Sequence, residues 1–284
     1  MIRSLLLALV LLMAAALPAT ASGIDEYFPE YSGDQFQAIY DHAVETTLAN
    51  LDPPGGQVSI TGNADVDARI WRIAFDRGYL LRPVANGGLV SVDGVQMQPQ
   101  AAAAWKQLRA AARAAGYDFT VSSAYRSPNT QRTWFNTKLS GTSDDAINTA
   151  LTWYSIPGTS KHHSGYALDF RHRNETFGSF RDTPDYAWLA ANNFSIPKTY
   201  GFIPSYPDDG SAQGPSPEPW EFVWVGVDAI RCGVPMDVSE SRFAMAHRSW
   251  LADDVVACSG GVTLDELDEM IRTLGPKLGA LLRA

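Results

Sequence analysis

Cysteine is nearly absent from this sequence: the 284 residues include only Cys232 and Cys258. Two isolated cysteines without a paired CxxC spacing exclude the usual cysteine-rich structural zinc site. The reading for an exported chain is one disulfide closing the C-terminal portion, the alternatives being two buried thiols or a pair of metal ligands. Cations are also scarce, with 22 Lys and Arg against 31 Asp and Glu, a formal net charge of −9. That balance argues against nucleic acid as a partner. It says little about peptide substrates, because a site on an acidic protein can be locally positive. The one long apolar run, near the start, is too short to span a bilayer, and no second apolar segment follows. No internal repeat is found, and no G-x-S-x-G element that would mark a serine hydrolase.

At the start, Arg3 precedes an apolar stretch from Leu5 to Leu17 and a small-residue site at Ala19-Thr20-Ala21. This pattern predicts a signal peptide over residues 1–21, cleaved near Ser22 on export to the periplasm or beyond, and no stable membrane span afterwards. Losing Arg3 takes the formal charge to −10. Residues 24–51 carry Tyr27, Phe36, Ile39, Tyr40 and Val44 at helical spacing, ended by Pro53-Pro54-Gly55-Gly56. A second helix is expected over 64–77, with Val66, Ile70, Ile73 and Ala74 on one stripe and Thr61 or Asn63 as cap. Short strands are expected at 78–83 and 88–92 around an Asn86-Gly87 turn. An alanine-rich helix over 100–115, closed by Gly116, leads into an alternating strand at 117–123. Near the C-terminus, helices are expected at 241–250 and 264–282.

Three segments carry chemistry. Ser160-Lys161-His162-His163-Ser164-Gly165-Tyr166-Ala167-Leu168-Asp169 reads S-x-H-x-x-G-x-A-x-D. It offers an imidazole and a carboxylate seven residues apart across a glycine bend, a pairing suited to a borderline metal such as Zn²⁺. Without the intervening Gly and Ala, a buried His hydrogen-bonded to Asp would be the simpler reading. Glu218-Pro219-Trp220-Glu221, followed by an apolar strand, places two acids three apart, one to hold metal and one to move protons. By itself this segment reads as a solvated acidic turn. Ser122-Ser123-Ala124-Tyr125-Arg126-Ser127, with Gln131 a helical turn later, leaves an arginine at a strand end, where its planar fork suits a carboxylate or a developing oxyanion. An isolated arginine there would more simply make a surface salt bridge.

Taken together, the segments resemble the VanY-type D-alanyl-D-alanine carboxypeptidases, zinc enzymes of the wider group that includes lysostaphin-type and hedgehog-type folds. The resemblance covers about residues 96–226. It implies an α+β fold in which a small antiparallel sheet with flanking helices forms a metal cleft. Residues 22–95 would be a mainly helical N-terminal segment and 227–284 a helical appendage. It also implies His162 and Asp169 as the first two zinc ligands, Glu218 as catalytic base, and Arg126 near the scissile carbonyl. Tyr125, Arg126, Gln131, Ser160 and Trp220 are the expected substrate contacts, and peptidoglycan stem peptides the expected substrate.

One position departs from the pattern: the family's E-P-W-H motif reads E-P-W-E, placing Glu221 where the third ligand is histidine. A shell of His162, Asp169 and Glu221 carries two negative charges, which weakens Lewis acidity and shifts preference toward Mn²⁺ or Fe²⁺ without excluding Zn²⁺. The expectation is therefore a metallopeptidase with Glu221 as third ligand, the alternative being a cell-wall-binding protein that has lost turnover. The chain offers few substitutes. His163 in an extended segment would face away from His162, His172 would turn away three residues beyond Asp169, and His247 lies on the C-terminal appendage.

Overall fold

Prolines and small polar caps decide where the helices of this chain begin. The computed structural model describes residues 28–173 and 176–232. The expected signal peptide, Cys258, His247 and the two expected C-terminal helices lie outside the described residues. Helix α1 (Gly33–Thr46) starts later than the apolar periodicity suggests. Ser32 and Gln35 close a reciprocal capping box there, satisfying each other's backbone donors. After β1 (Leu51–Asp52), Asn63 caps α2 (Ala64–Asp76) as expected, accepting from the backbone of Asp65 and Val66.

The following stretch differs from its sequence reading. Residues 78–83 form no ladder: Arg82 makes a single backbone bond to Gly158, and Tyr79 donates its hydroxyl to the Leu151 carbonyl. Pro83 has no N–H to extend a pairing. The strands instead are β2 (Val84–Ala85), paired with β1, and β3 (Val90–Val92), paired with β4 (Val95–Met97). The tight hairpin turns at Asp93-Gly94, both at positive φ, as a two-residue turn of this hand requires.

Next come α3 (Pro99–Ala114), β5 (Phe119–Ser123), α4 (Pro128–Lys138) and α5 (Asp144–Trp153). They are followed by β6 (Ala167–His172), α6 (Pro184–Thr199), β7 (Phe202–Tyr206), β8 (Glu218–Trp224) and the short α7 (Val227–Cys232). Helix α6 is broken at Ala191, after which Asn192, Asn193 and Phe194 take left-handed conformations. Among the described residues no helix is long and apolar enough to cross a membrane.

The main sheet is antiparallel in the order β5-β6-β8-β7. Alternation along β6 sends Leu168 and Phe170 to one face and Ala167 and Asp169 to the other. On the first face Phe170 sits among Trp105 of α3, Phe119 and Phe222, with ring centroids 5.1–5.2 Å apart. Each fully buried ring of this kind stabilises the fold by roughly 1.5–3 kcal/mol. On the second face Ala167, Ile203 and Val223 pack against Phe36, Ile39 and Tyr40 of α1. A third cluster joins Ile70, Trp71, Ile73 and Ala74 of α2 to Phe135, Ile147, Ala150 and Leu151 of α4 and α5. The arrangement is α+β, a small antiparallel sheet between helices, with a mainly helical N-terminal segment.

Candidate metal centre

The centre lies on the sheet's second face, beside the area that α1 covers. Register places Ser123 of β5 opposite Asp169 of β6, and Asp169 opposite Glu221 of β8, so these residues form one row across three strands. His162 reaches the row from a single 3-10 turn, Lys161–Ser164, just before β6. Ser160 caps that turn by accepting from the His162 N–H, and Gly165 closes it at φ 76°, a left-handed conformation that favours glycine. A Cβ on Gly165 would also lie 2.8 Å from Leu89 Cδ2.

Both acids of Glu218-Pro219-Trp220-Glu221 face the cleft, which a regular strand would forbid, since residues three apart point to opposite faces. The reason is a local irregularity. Glu218 pairs with Tyr206 and Phe222 with Pro204, so β8 spends four steps where β7 spends two. Alternation is broken across this stretch, and Glu218 and Glu221 both line the cleft while Phe222 stays in the core.

Each donor of the cluster is held by one atom and presents another. His162 Nδ1 lies 2.5 Å from the Ala124 carbonyl, to which it donates, leaving Nε2 toward the carboxylates. Asp169 Oδ2 accepts from Arg126 Nη2 at 3.5 Å, and its Oδ1 lies 3.2 Å from His162 Nε2. Glu221 Oε1 accepts from Ser205 Oγ at 2.6 Å, and its Oε2 lies 3.3 Å from His162 Nε2. All three side chains are buried, with one potential ligand atom from each lying within 4.8 Å of the others. A tetrahedron with donors about 2.0–2.1 Å from its centre has edges of about 3.4 Å. The two edges through Nε2 match that length.

Electrostatics favour a cation at the same point. Burial opposes a charged His162, yet Asp169 and Glu221 outweigh it and raise the imidazole to about 10. Burial likewise opposes ionised Glu221, but His162, Ser205 and Lys161 outweigh it and lower the carboxyl to about 2. With the His162 tautomer set by Ala124, a neutral ring aims its Nε2 lone pair at two carboxylates. Only a proton or a bound cation reconciles these groups, and the donor set fits zinc.

The cleft holds about 620 Å³, and its wall includes Arg126, Trp134, Ser160, Glu218 and Trp220. Burial, then the charges of Glu221 and Asp169, holds the Glu218 carboxyl well above the usual range. Trp220 Nε1 donates to Glu218 Oε2 at 3.1 Å. Arg126 donates to Gln131 Oε1 at 2.9 Å and to Ser123 Oγ at 3.1 Å, with its guanidinium 4.3 Å from the Trp134 ring centre.

Two of the expected substrate contacts are placed elsewhere. Gln131 is wholly buried, bonded to Arg126 and to the Ser155 carbonyl, and neither it nor Tyr125 lines the cleft. His163 faces away from the cluster, holding Arg126 O through Nδ1 and accepting the Gly158 N–H at Nε2. His172 pairs with Asp185. Ser164 bonds the Lys161 carbonyl and the Tyr166 N–H, a turn role like that of Ser160. Sequence reasoning missed Ser205 and Lys161, whose partners lie far along the chain, and for His163 it gave the direction away from His162 but not its bond to Arg126.

Residues 94–227 match the family model VanY, D-alanyl-D-alanine carboxypeptidase. This segment, just under half of the chain, is of VanY type. A D-alanyl-D-alanine carboxypeptidase of Enterococcus faecalis is 35% identical over 126 residues, covering 42% of this chain and 44% of the relative. The putative carboxypeptidase YodJ of Bacillus subtilis is 32% identical over 142 residues, 48% of each chain. The chain thus spans about half the length of the curated relatives it matches. Among solved structures, VanYB in complex with D-alanine-D-alanine is 30% identical, covering 50% of this chain and 79% of that one, with a TM-score of 0.42. A mutant VanY D,D-pentapeptidase in complex with Zn(II) is 29% identical, covering 54% and 83%, with a TM-score of 0.43. The VanY segment contains every residue of the cluster, whereas α1 and α2 lie outside it.

Proposed function

We propose that this chain is an exported, zinc-dependent D,D-carboxypeptidase-type enzyme that cleaves D-Ala-containing peptide bonds of peptidoglycan stem peptides. The observation that carries the reading is the convergence of His162 Nε2, Asp169 Oδ1 and Glu221 Oε2 on one buried point. The VanY match and the carboxypeptidase relatives point to the same reaction class. Export rests on Arg3, the apolar run and the small-residue site near Ala21.

Bound by His162, Asp169 and Glu221, zinc supplies Lewis acidity to the scissile carbonyl and to the attacking water. Glu218 takes the proton of that water and returns it to the departing amine. Its raised pKa suits both transfers, because a carboxyl nearer neutrality accepts and releases a proton with less mismatch. The Trp220 indole fixes which way this carboxyl turns. Arg126, held on Ser123 and Gln131, offers fixed positive charge to the oxygen on which negative charge develops.

The test is release of free D-alanine from a stem pentapeptide by purified chain stripped of metal and reloaded with zinc. Zinc-dependent release is expected, falling by about 10²–10⁴-fold in Glu218→Gln while bound zinc is retained. Absence of release from the zinc-loaded parent would overturn the hydrolase reading.

A further inference from the structure

A glutamate in the third position brings two difficulties that a histidine would not. It has two oxygens, so it is able to bind in two modes, and it adds a second negative charge to a buried shell. The residues behind Glu221 answer both. Ser205 is buried on β7 and donates its hydroxyl to Glu221 Oε1 at 2.6 Å, which leaves Oε2 as the atom facing His162. Lys161, 1% exposed, reaches past the ligand turn and donates to the Ser205 carbonyl at 2.6 Å and to Gln213 Oε1 at 3.2 Å. Its Nζ also lies 4.3 Å from the Tyr206 ring centre and 4.8 Å from that of Tyr40. Two oxygen acceptors and two ring faces form the surroundings of an ammonium ion. Burial, and then Arg82, push the Lys161 amine down to about 7, while Glu221 favours its charged form and Lys161 in turn is one of the groups that hold Glu221 ionised.

We propose that Ser205 and Lys161 are positioning residues that adapt this centre to a carboxylate third ligand. Ser205 restricts Glu221 to one ligating oxygen, and the Lys161 ammonium offsets the charge that Glu221 adds. The inference rests on the metal-centre reading above and extends it to two residues that touch neither metal nor substrate. A purely structural Lys161 would serve the Ser205 carbonyl and Gln213 equally well whatever residue stood at 221. A charge-compensating one would not.

The experiment is a double-mutant cycle read by zinc affinity, through competition with a chromophoric chelator, on the full chain. Lys161→Met keeps the length and removes the charge. In the parent it is expected to weaken zinc binding by on the order of 10–100-fold. In a Glu221→His background the same change is expected to cost less than about threefold. Equal losses in both backgrounds would overturn the proposal. Ser205→Ala gives a second readout if Lys161→Met does not fold. With Co²⁺ as probe, its visible absorption should weaken relative to the parent as the freed Oε1 raises the coordination number, and Ser205→Thr should restore it. An unchanged spectrum in Ser205→Ala overturns the Ser205 role. A parent that takes up no stoichiometric zinc defeats the metal-centre reading itself, an outcome separate from equal losses in a parent that does bind zinc.

Discussion

His162 and His163 are neighbours with opposite duties, and the difference lies in what each ring nitrogen meets. His162 spends one nitrogen on Ala124 and aims the other at two carboxylates. His163 spends one on the Arg126 carbonyl and the other on the Gly158 N–H, so its neutral form is fully satisfied and holds the Arg126 loop to the ligand turn. Burial, against which the Arg126 carbonyl is the smaller influence, pushes His163 down from 6.5 to about 4. Between those values the unfolded chain binds more protons than the folded one, so stability rises with pH across that window. Its contribution is present above pH 6.5 and is lost as pH falls through about 4, a difference of about 3 kcal/mol. Thermal melts from pH 4 to 7 should show this slope in the parent and a flatter one in His163→Gln. An equal slope in both would remove His163 as its source. The sequence made His162, Asp169, Glu218, Glu221 and Arg126 legible because they fall in three short motifs. It hid the bonds of Ser205, Lys161 and His163, since they span 16, 44 and 37 residues and leave no local spacing to read.

At the scale of elements, the caps were legible and the shortest strands were not. Asn63 marks the start of α2 because a side-chain oxygen satisfying free N–H groups is a local event. The pairing of β1 with β2 joins residues some thirty apart, and a two-residue strand carries too little alternation to be seen. The irregularity in β8, where Glu218 and Glu221 both line the cleft, was equally hidden. Gly165 ends the turn bearing His162 and so couples a backbone conformation to the site. Gly165→Ala combines a left-handed φ with the approach to Leu89 and is expected to cost about 1–3 kcal/mol. A lowered midpoint in thermal unfolding, together with weaker zinc binding, is the expected result. An unchanged midpoint would show that the turn tolerates a side chain there.

For the whole molecule, the packing runs across the limits of the family match. The match begins at residue 94, inside the β3–β4 hairpin, and ends at 227. Helix α1 covers Ala167, Ile203 and Val223 on the sheet's second face, and α2 covers α4 and α5, the elements that carry Trp134 and the tail of the cleft wall. A fragment of residues 94–227 therefore exposes two apolar faces, and its circular dichroism is expected to lack the cooperative melt shown by residues 28–232. A cooperative melt of the fragment at the same midpoint would make α1 and α2 dispensable for folding. The resemblance in the motifs conveyed the sheet and its cleft, but how the N-terminal helices pack depends on tertiary contacts that no motif encodes. The central claim is that Glu221 completes a metal site with His162 and Asp169. Anomalous scattering measured at the zinc absorption edge, on crystals grown with zinc, tests it most directly. The account predicts one peak within bonding distance of His162 Nε2, Asp169 and Glu221 Oε2. A peak that Glu221 does not reach, or none at this point, would contradict it.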